Sequence, residues 1–332
     1  MDSLQPQLVF FNHIKAKLSP HISLVEDVAE LLNISNDSAY RRIRGEKPIG
    51  FDEIQKLCSH YKVSLDQLLQ IDKETSIFSG KMVDNTNFNL TQYLHEVLRN
   101  FLMFKSIPDC EIINFNKDIP IFHFMQFKEL CAFKYFFWKR SLMHYPDLVK
   151  KQFDGKETDD DIMETGLKII KIYVQIPSIE IWNEESIHAT IRQIEYYRQT
   201  NCFTDKHIVL KVYGQLEELI NHLELEAEKG VKFLYDEAPT EAAGTYQVFL
   251  NECLLGDNTV YMHGNKMQGT YINHGGMNFI STQDKAFCDY TFDNLQHIIK
   301  KSTPISVSGE KERSIFFNAM REKIYEKKKG IL

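Results

Sequence analysis

The sequence predicts an all-α N-terminal domain followed by a larger α+β C-terminal domain of helices and antiparallel hairpins. Three observations support this division. Apolar residues recur at helical spacing through residues 8–69, a polar stretch containing Gly, Ser and Asn follows, and alternating apolar segments separated by turn residues occupy residues 245–281. We therefore assign residues 1–72 to the first domain, 73–87 to a linker and 88–332 to the second domain.

The composition is that of a folded protein. Of the 332 residues, 43% are apolar and 26% are charged, which is enough apolar material for a sizeable core. The net charge is −7, so any contact with nucleic acid must come from a local basic patch. The six cysteines are scattered without a C-x-x-C pair, which disfavours a zinc site or a disulfide framework and favours a reducing compartment.

We expect a cytoplasmic protein with no membrane segment. The most apolar stretches, such as "IPIFHFM", are too short to span a bilayer. The first residues also lack the basic region and the long apolar region of a signal peptide.

Short amphipathic helices are predicted throughout the N-terminal domain, with brief connections between them. The four segments that show the spacing are "QLVFFNHIKAKL", "SLVEDVAELLN", "FDEIQKLCSHY" and "SLDQLLQI". Ser23 stands near the start of the second segment, and Ser64 is a favourable N-cap for the fourth.

Two of these helices are predicted to meet at a tight corner in "VAELLNISNDSAYRRIRG". Ala29 is small enough to let the second helix cross closely, and Asn33 tolerates the left-handed backbone that a sharp corner requires. Ser35 can cap the second helix, and Ala39 with Ile43 is expected to form its buried face.

The other side chains of the second helix then face outward or flank it, and their chemistry suits the major groove of DNA. Arginine can pair in bidentate fashion with guanine and asparagine with adenine, while serine and tyrosine reach phosphates or base edges. The candidate DNA-binding residues are Ser35, Asn36, Asp37, Ser38, Tyr40, Arg41, Arg42, Arg44 and Lys47.

Over roughly forty residues, "VAELLNISNDSAYRRIRGEKPIGFDEIQKLCSHYKVSLDQLL" resembles the helix-turn-helix domain of Cro/C1-type, or XRE-type, transcriptional regulators. The similarity covers the small residue before the corner, the "NIS" corner, the recognition helix ending in "RG" and the closing "KVSLDQLL". Asn33 replaces the usual corner glycine, and Arg42 stands where many relatives carry an apolar residue. Because Ile43 is an alternative apolar anchor, the sequence leaves open which of Arg41 and Arg42 faces the bases.

The resemblance implies how this domain would dock on DNA. It places Asn36, Asp37, Tyr40 and Arg41 nearest the base edges and Arg42, Arg44 and Lys47 near phosphates. The rest of the domain is not basic, so we expect binding by a dimer whose two domains lie about 34 Å apart on the duplex.

Helices and strands are both predicted in the C-terminal domain. The predicted helices lie near 90–104, 129–143, 162–174, 186–199, 205–229 and 284–302, and the predicted strands near 110–116, 120–127, 245–255, 258–264 and 269–281. The last residues, "EKKKGIL", are expected to form a frayed, solvated end.

This C-terminal domain is expected to make the protein a homodimer, with sensing of an unknown small-molecule effector as a further option. We expect no cofactor, no metal and no catalytic residue, because the H-E-x-x-H, G-x-x-x-x-G-K-[ST], G-x-G-x-x-G and G-x-S-x-G motifs are absent. One apolar stripe spans about two heptads, and we favour its packing within its own domain over a dimer seam. It consists of Val209, Val212, Leu216, Leu219 and Leu223.

The sequence thus predicts a bacterial one-component transcriptional regulator that binds operator DNA as a dimer. Two alternatives remain. An enzyme with an accessory helix-turn-helix module would gather His263, His274 and Asp257 in a polar pocket. A protein-interaction module would use the helical domain without binding DNA.

Overall fold

The computed structural model describes residues 6–18, 22–65, 75–80, 89–155, 160–265, 267–274 and 278–331. The chain divides into two compact units, which we call the N-terminal unit, Met1–Ile77, and the C-terminal unit, Phe78–Leu332. The N-terminal region is helical and the C-terminal region combines helices with a sheet, as the sequence predicts.

Short helices build the described part of the N-terminal unit. They are α1 (Pro6–Lys17), α2 (Leu24–Leu32), α3 (Asn36–Ile43) and α4 (Phe51–Tyr61). Their apolar faces enclose one core, whose fully covered side chains include Phe10, Ile14, Val28, Ala39 and Leu57. The helix predicted from Ser64 falls almost entirely outside the described residues.

In the described part of the C-terminal unit, eight strands form one mixed sheet in the order β1-β7-β6-β5-β2-β3-β4-β8. The strands are β1 (Ser79–Gly80), β2 (Glu111–Phe115), β3 (Ser178–Trp182), β4 (Tyr246–Leu250), β5 (Thr259–Gly264), β6 (Met267–His274), β7 (Asn278–Thr282) and β8 (Thr303–Pro304). The central β2, β3 and β4 are parallel. The β5–β6 hairpin is as the sequence predicts, but β4 does not pair with β5, and the single strand predicted near 269–281 is two antiparallel strands, β6 and β7. Strand β1 lies inside the predicted linker and pairs with β7.

Helices connect the strands of this sheet. They are α5 (Leu90–Lys105), α6 (Ile121–Phe124), α7 (Lys128–Phe137), α8 (Asp160–Tyr173), α9 (His188–Gln199), α10 (Lys206–Lys229), α11 (Lys285–Lys300) and α12 (Glu310–Lys329). Across the described ranges, no helix has both the length and the apolar character needed to cross a membrane.

Strand β3 shows how the two faces of the sheet differ. Because successive side chains of a strand point to opposite faces, Ile179 and Ile181 share one face and Ser178, Glu180 and Trp182 share the other. The isoleucines pack in a cluster that includes residues of α11. Glu180 and its neighbours face the helices on the other side, where two larger apolar clusters lie.

Two more elements differ from the sequence prediction. Residues 120–127 are not a strand, because Pro120 precedes the short helix α6 and because β3 and β5 already pair with both edges of β2. Strand β3 was not predicted. Its polar residues Ser178 and Glu180 are buried like the apolar ones, so the strand lacks the exposed polar face that usually marks a strand in a sequence.

The chain end also differs from the prediction of a frayed, solvated segment. Helix α12 continues to Lys329, and Ile331 is buried in the core beside it. The Lys328 ammonium lies 2.6 Å from a carboxylate oxygen of Glu217 on α10, which fixes the last turn to the domain.

The apolar stripe of α10 packs within its own unit, as predicted. Its five residues, Val209, Val212, Leu216, Leu219 and Leu223, are all buried in one cluster with α12 and α7. Gly230 then ends the helix in a left-handed conformation, with φ 67°. Other helices of the same unit therefore cover the stripe.

We expect Leu216→Ala to lower the free energy of unfolding of the C-terminal unit by about 2–5 kcal/mol, because it leaves a cavity in a closed core. Leu225→Ala on the same helix, where the side chain is 39% exposed, should cost about 1 kcal/mol or less. Urea unfolding followed by tryptophan fluorescence measures both changes, since the two tryptophans lie in this unit. Equal effects of the two substitutions would contradict the assignment of the stripe to the core.

Candidate nucleic-acid interface

The corner between α2 and α3 has the predicted geometry. Asn33 adopts a left-handed conformation with φ 54° and ψ 52°, and its N–H points back to the carbonyl oxygens of Ala29 and Glu30. The N–H of Ile34 also donates to the Ala29 carbonyl, at 2.9 Å. These bonds satisfy the last carbonyls of α2 and direct the chain into α3.

Ser35 caps α3, again as predicted. Its hydroxyl oxygen accepts a hydrogen bond from the N–H of Ser38 at 3.3 Å. The side chain of Ala39, one turn later, has no exposed surface. The cap and this small buried residue together hold α3 close against the core of the N-terminal unit.

Arg42 does not face outward, which corrects the sequence prediction for this side chain. Only 7% of the residue is exposed, whereas Ile43 is half-buried at the edge of the core. The guanidinium forms two hydrogen bonds to the Glu53 carboxylate, Nη2 to Oε1 at 2.7 Å and Nε to Oε2 at 3.0 Å. Arg42 thus takes the position of the apolar anchor, because its stem can cover the core while its charge is paired.

Glu53 joins α3 to the start of α4. Besides Arg42, its carboxylate accepts the N–H of Gly50 at 3.1 Å, which completes a cap at the beginning of α4. The hydrogen bond from Arg42 lowers the pKa of the Glu53 carboxyl below its ordinary value, against the opposing effect of partial burial. The ion pair therefore forms with Glu53 charged over the physiological pH range.

Gln7 on α1 fixes the loop that follows α3. Its amide nitrogen donates to the carbonyl oxygens of Arg42 and Lys47, at 2.7 and 2.8 Å. Its amide oxygen accepts the N–H of Ile49 at 3.2 Å. One side chain thus binds three backbone groups between the end of α3 and the start of α4.

The remaining candidate residues form an accessible face on and beside α3. Asn36, Asp37, Tyr40, Arg41, Arg44 and Lys47 are exposed; Ser35 is exposed as well but engaged in capping, and Ser38 is half-buried. The Arg41 and Arg44 side chains are 54% and 58% exposed. The Tyr40 hydroxyl accepts a hydrogen bond from Arg44 Nη1 at 3.1 Å, so these two side chains are oriented together.

Glu46 partly neutralises this face. Its carboxylate lies 3.4 Å from Arg44 Nε and 3.9 Å from Arg41 Nε. Both contacts are between exposed groups, so each is weak and readily exchanged for a stronger anion. An anion from solution can therefore compete with Glu46 for either arginine.

Residues 19–94 match the family model of the BetR domain. That family is a helix-turn-helix type of DNA-binding domain, so the match indicates a DNA-binding regulatory role for this chain. It covers α2, α3 and α4, the elements that build the exposed face, and extends to the first turn of α5. No curated protein and no solved structure matches the chain.

Sequence reasoning missed the two side chains that position this face, Gln7 and Glu53. A signal for Glu53 exists, because a glutamate three residues after a helix N-cap is the pattern of a capping box. No local pattern marks Gln7, because the three backbone groups that it binds lie about forty residues further along the chain.

The side chains proposed for an enzymatic pocket do not come together in the sheet. His263 lies at one end of β5, 3.2 Å from the carboxylate of Glu111. His274 and Asp257 lie towards the other end of the β5–β6 hairpin, roughly 20 Å away along the strands. Within the described residues, no group of three or more His, Cys, Asp or Glu side chains is placed to hold a metal.

We expect Arg42→Met to destabilise the N-terminal unit by about 1–3 kcal/mol at pH 7, because it leaves Glu53 without its guanidinium partner. Arg41→Met, one position earlier and exposed, should change stability by about 0.5 kcal/mol or less. Hydrogen exchange of the α3 amides measures both effects.

The effect of Arg42→Met should depend on pH. Since the folded pKa of Glu53 is lowered, the pair stabilises the unit above the ordinary carboxyl pKa, and this contribution is lost as the pH falls through the folded value. When hydrogen exchange is measured at successively lower pH, the stabilities of the wild type and of the variant should therefore become equal. A difference that stays constant in acid would contradict the ion-pair explanation.

Proposed function

We propose that this protein is a one-component, Cro/C1-type transcriptional regulator that binds operator DNA as a homodimer through α3. The observation that supports this most is the exposed face on and beside α3, which carries Arg41, Arg44 and Lys47 inside the matched BetR segment. The combination of such a face with a positioned recognition helix is what major-groove recognition requires.

The charge distribution supports a local DNA contact. The whole chain carries a net charge of −7, yet α3 and the loop after it present Arg41, Arg44 and Lys47 within seven residues. An acidic remainder limits binding to DNA elsewhere on the surface, so affinity depends on this face. Two copies acting together would supply the affinity that one small face lacks.

The inward position of Arg42 favours Arg41 as the arginine that contacts base edges. Arg42 is paired with Glu53, while Arg41 is exposed and its Nε lies 3.9 Å from Glu46. We propose Asn36, Asp37 and Tyr40 as its neighbours in the groove. Arg44 and Lys47, further along the chain, are proposed to bind phosphates.

The C-terminal unit is proposed to hold the dimer together and to respond to a small-molecule effector, without catalysing a reaction. An effector that favours one arrangement of the paired N-terminal units would change operator affinity by shifting the population of arrangements. The protein is proposed to act in the cytoplasm.

Selection of bound duplexes from a random pool, at a stated salt concentration, tests the proposal directly. We expect enrichment of a pseudo-palindrome with half-sites about one helical turn apart. If no sequence is enriched, the proposal of sequence-specific binding is wrong. If the enriched sequence contains one half-site without its repeat, the proposal of a dimer is wrong.

Arg41→Ala is expected to weaken binding to the selected site by about 1–3 kcal/mol and to relax the preference at one base pair. Arg44→Ala should weaken binding to all sequences alike and reduce the salt dependence, because it removes a phosphate contact. Fluorescence anisotropy on matched and mismatched duplexes separates these outcomes. Unchanged affinity in the Arg41 variant would favour a protein-interaction module.

Glu46→Gln is expected to raise affinity for DNA by about 0.3–1 kcal/mol, with the largest gain at low salt, since it frees Arg41 and Arg44 from a competing carboxylate. The matched control is Glu237→Gln, which makes the same charge change at an exposed position of the C-terminal unit. Equal gains in the two variants would indicate a general charge effect.

A further inference from the structure

A groove between α9 and α12 opens on the surface of the C-terminal unit. Its volume is about 530 Å³, within the range of roughly 300–1,000 Å³ that is usual for small-molecule sites. Helix α9 contributes His188, Ile191 and Arg192 to its lining, and α12 contributes one face between Ala319 and Lys327. The groove is therefore large enough to hold a small organic molecule between two helices.

The base of the groove is apolar. Ile191 lines the groove although only 5% of this residue is exposed, and it packs in the core cluster that also contains Phe316 and Phe317 of α12. Ala319 of α12 is half-buried, and its side chain ends at Cβ, which leaves space between the two helices. An apolar group of a ligand can leave water at this position.

Helix α12 presents its charges to the groove in two rows of like sign. Glu322 and Glu326 are four residues apart, and so are Lys323 and Lys327. Side chains four residues apart are neighbours on a helix, so each row places two equal charges side by side, which is unfavourable for an isolated helix. Of these four residues, only Lys323 and Glu326 are spaced to form an opposite pair within the helix, and Lys323 is directed elsewhere.

Lys323 and His188 are held at one end of the groove by the loop before α9. The Lys323 ammonium donates to the backbone carbonyl of Glu184 at 2.7 Å and lies 3.8 Å from the carboxylate of the same residue. Nδ1 of His188 contacts the carboxylate of Glu185. These two basic side chains therefore already have acceptors within the protein.

Four other charged side chains of the lining lack such contacts. They are two cations, Arg192 and Lys327, which we call the groove cations, and two acids, Glu322 and Glu326, which we call the groove carboxylates. All four are exposed, and among the described residues none of their side chains takes part in an ion pair or a hydrogen bond. Unpaired charges of both signs thus surround one apolar base.

Glu195 of α9 does not neutralise the groove cations, although it stands one turn after Arg192. Its Oε1 accepts hydrogen bonds from Arg198 Nε at 3.1 Å and from the Tyr213 hydroxyl at 2.9 Å, and its Oε2 accepts one from Arg198 Nη2 at 2.8 Å. Its charge acts on Lys327 only from beyond ion-pair distance. The groove cations therefore remain available to an added anion.

We propose that the groove binds a free α-amino acid with an apolar side chain. The groove cations bind its carboxylate, the groove carboxylates bind its ammonium, and its side chain covers Ile191 and Ala319. An amino acid carries both charges at neutral pH, so it can pair with all four side chains at once. A simple carboxylic acid would leave the groove carboxylates unpaired, and a simple amine would leave the groove cations unpaired.

Several weak contacts combine in this site. Each ion pair with an exposed side chain contributes little alone, because water and salt screen it. Apolar contact at the base adds to the simultaneous pairing of both ligand charges, so we expect an affinity in the micromolar to millimolar range. Binding should therefore weaken as the salt concentration rises.

An amino acid in the groove would join α9 to α12. A ligand held by side chains of both helices favours the arrangement in which those side chains converge, and such a preference is what shifts a conformational equilibrium. The groove is then the site of the effector proposed above, and the amino acid is its chemical class. This regulatory role rests on the proposed function, whereas the binding itself does not involve DNA.

Isothermal titration calorimetry of the full-length chain with L-leucine, at pH 7 and low salt, tests the binding. Two analogues lack one charge each: L-leucinamide has no carboxylate, and 4-methylpentanoate has no ammonium. We expect leucine to bind about tenfold more tightly than either analogue, since each analogue leaves two side chains of the groove without a partner. A lack of leucine binding would overturn the proposal, and so would an analogue that binds as tightly as leucine.

Lys327→Met and Glu326→Gln test the two halves of the site separately. Lys327→Met should weaken leucine binding about tenfold without weakening leucinamide binding, and Glu326→Gln should weaken leucine binding without weakening 4-methylpentanoate binding. The matched controls are Lys311→Met and Glu312→Gln, at exposed positions in the first turn of α12. An equal loss in a variant and its control would indicate a general charge effect and would contradict the assignment.

Fluorescence anisotropy of the selected duplex, with and without leucine, separates this inference from the proposed function. A change in duplex affinity that Lys327→Met abolishes would support the effector role. Leucine binding without any change in duplex affinity would show that the effector role is wrong. A chain that binds leucine but no duplex would contradict the proposed function alone, and a chain that binds the duplex but not leucine would contradict the groove proposal alone.

Discussion

The ion pair between Arg42 and Glu53 is the interaction on which the candidate DNA-binding face depends. It joins the recognition helix to the start of α4 and turns one basic side chain inward. As a consequence, the neighbouring Arg41 and Arg44 remain outside, where they are accessible to a ligand. The pair therefore contributes orientation as much as stability, a role for which a partly buried, bidentate geometry is well suited.

The local geometry of this face could be predicted from the sequence because its determinants are close together in the chain. The left-handed Asn33, the Ser35 cap and the buried Ala39 each follow from the conformational preference of one residue type. The position of Arg42 could not be predicted in the same way. The stem of Arg42 covers the core because the carboxylate of Glu53, eleven residues later in the chain, pairs with its guanidinium. That contact depends on the tertiary structure and not on the local sequence.

The C-terminal unit was predictable in its helices and hairpins but not in its centre. Long periodic segments such as α10 and the β5–β6 hairpin can be recognised from their spacing. The parallel strands β2, β3 and β4 are joined by helices, so their pairing leaves no local turn pattern. The buried hydrogen bonds of Glu180 with His123 and Tyr246 were missed for the same reason, since these residues come from distant segments and match no motif.

The two outermost strands of the sheet, β1 and β8, are only two residues long each. Within the described residues these two strands offer little backbone of their own for pairing with another chain, and short edge strands limit edge-to-edge aggregation. The proposed homodimer would then be held by side-chain contacts and not by pairing along these two strands. Single surface substitutions would tune its strength without altering the strand register within either copy.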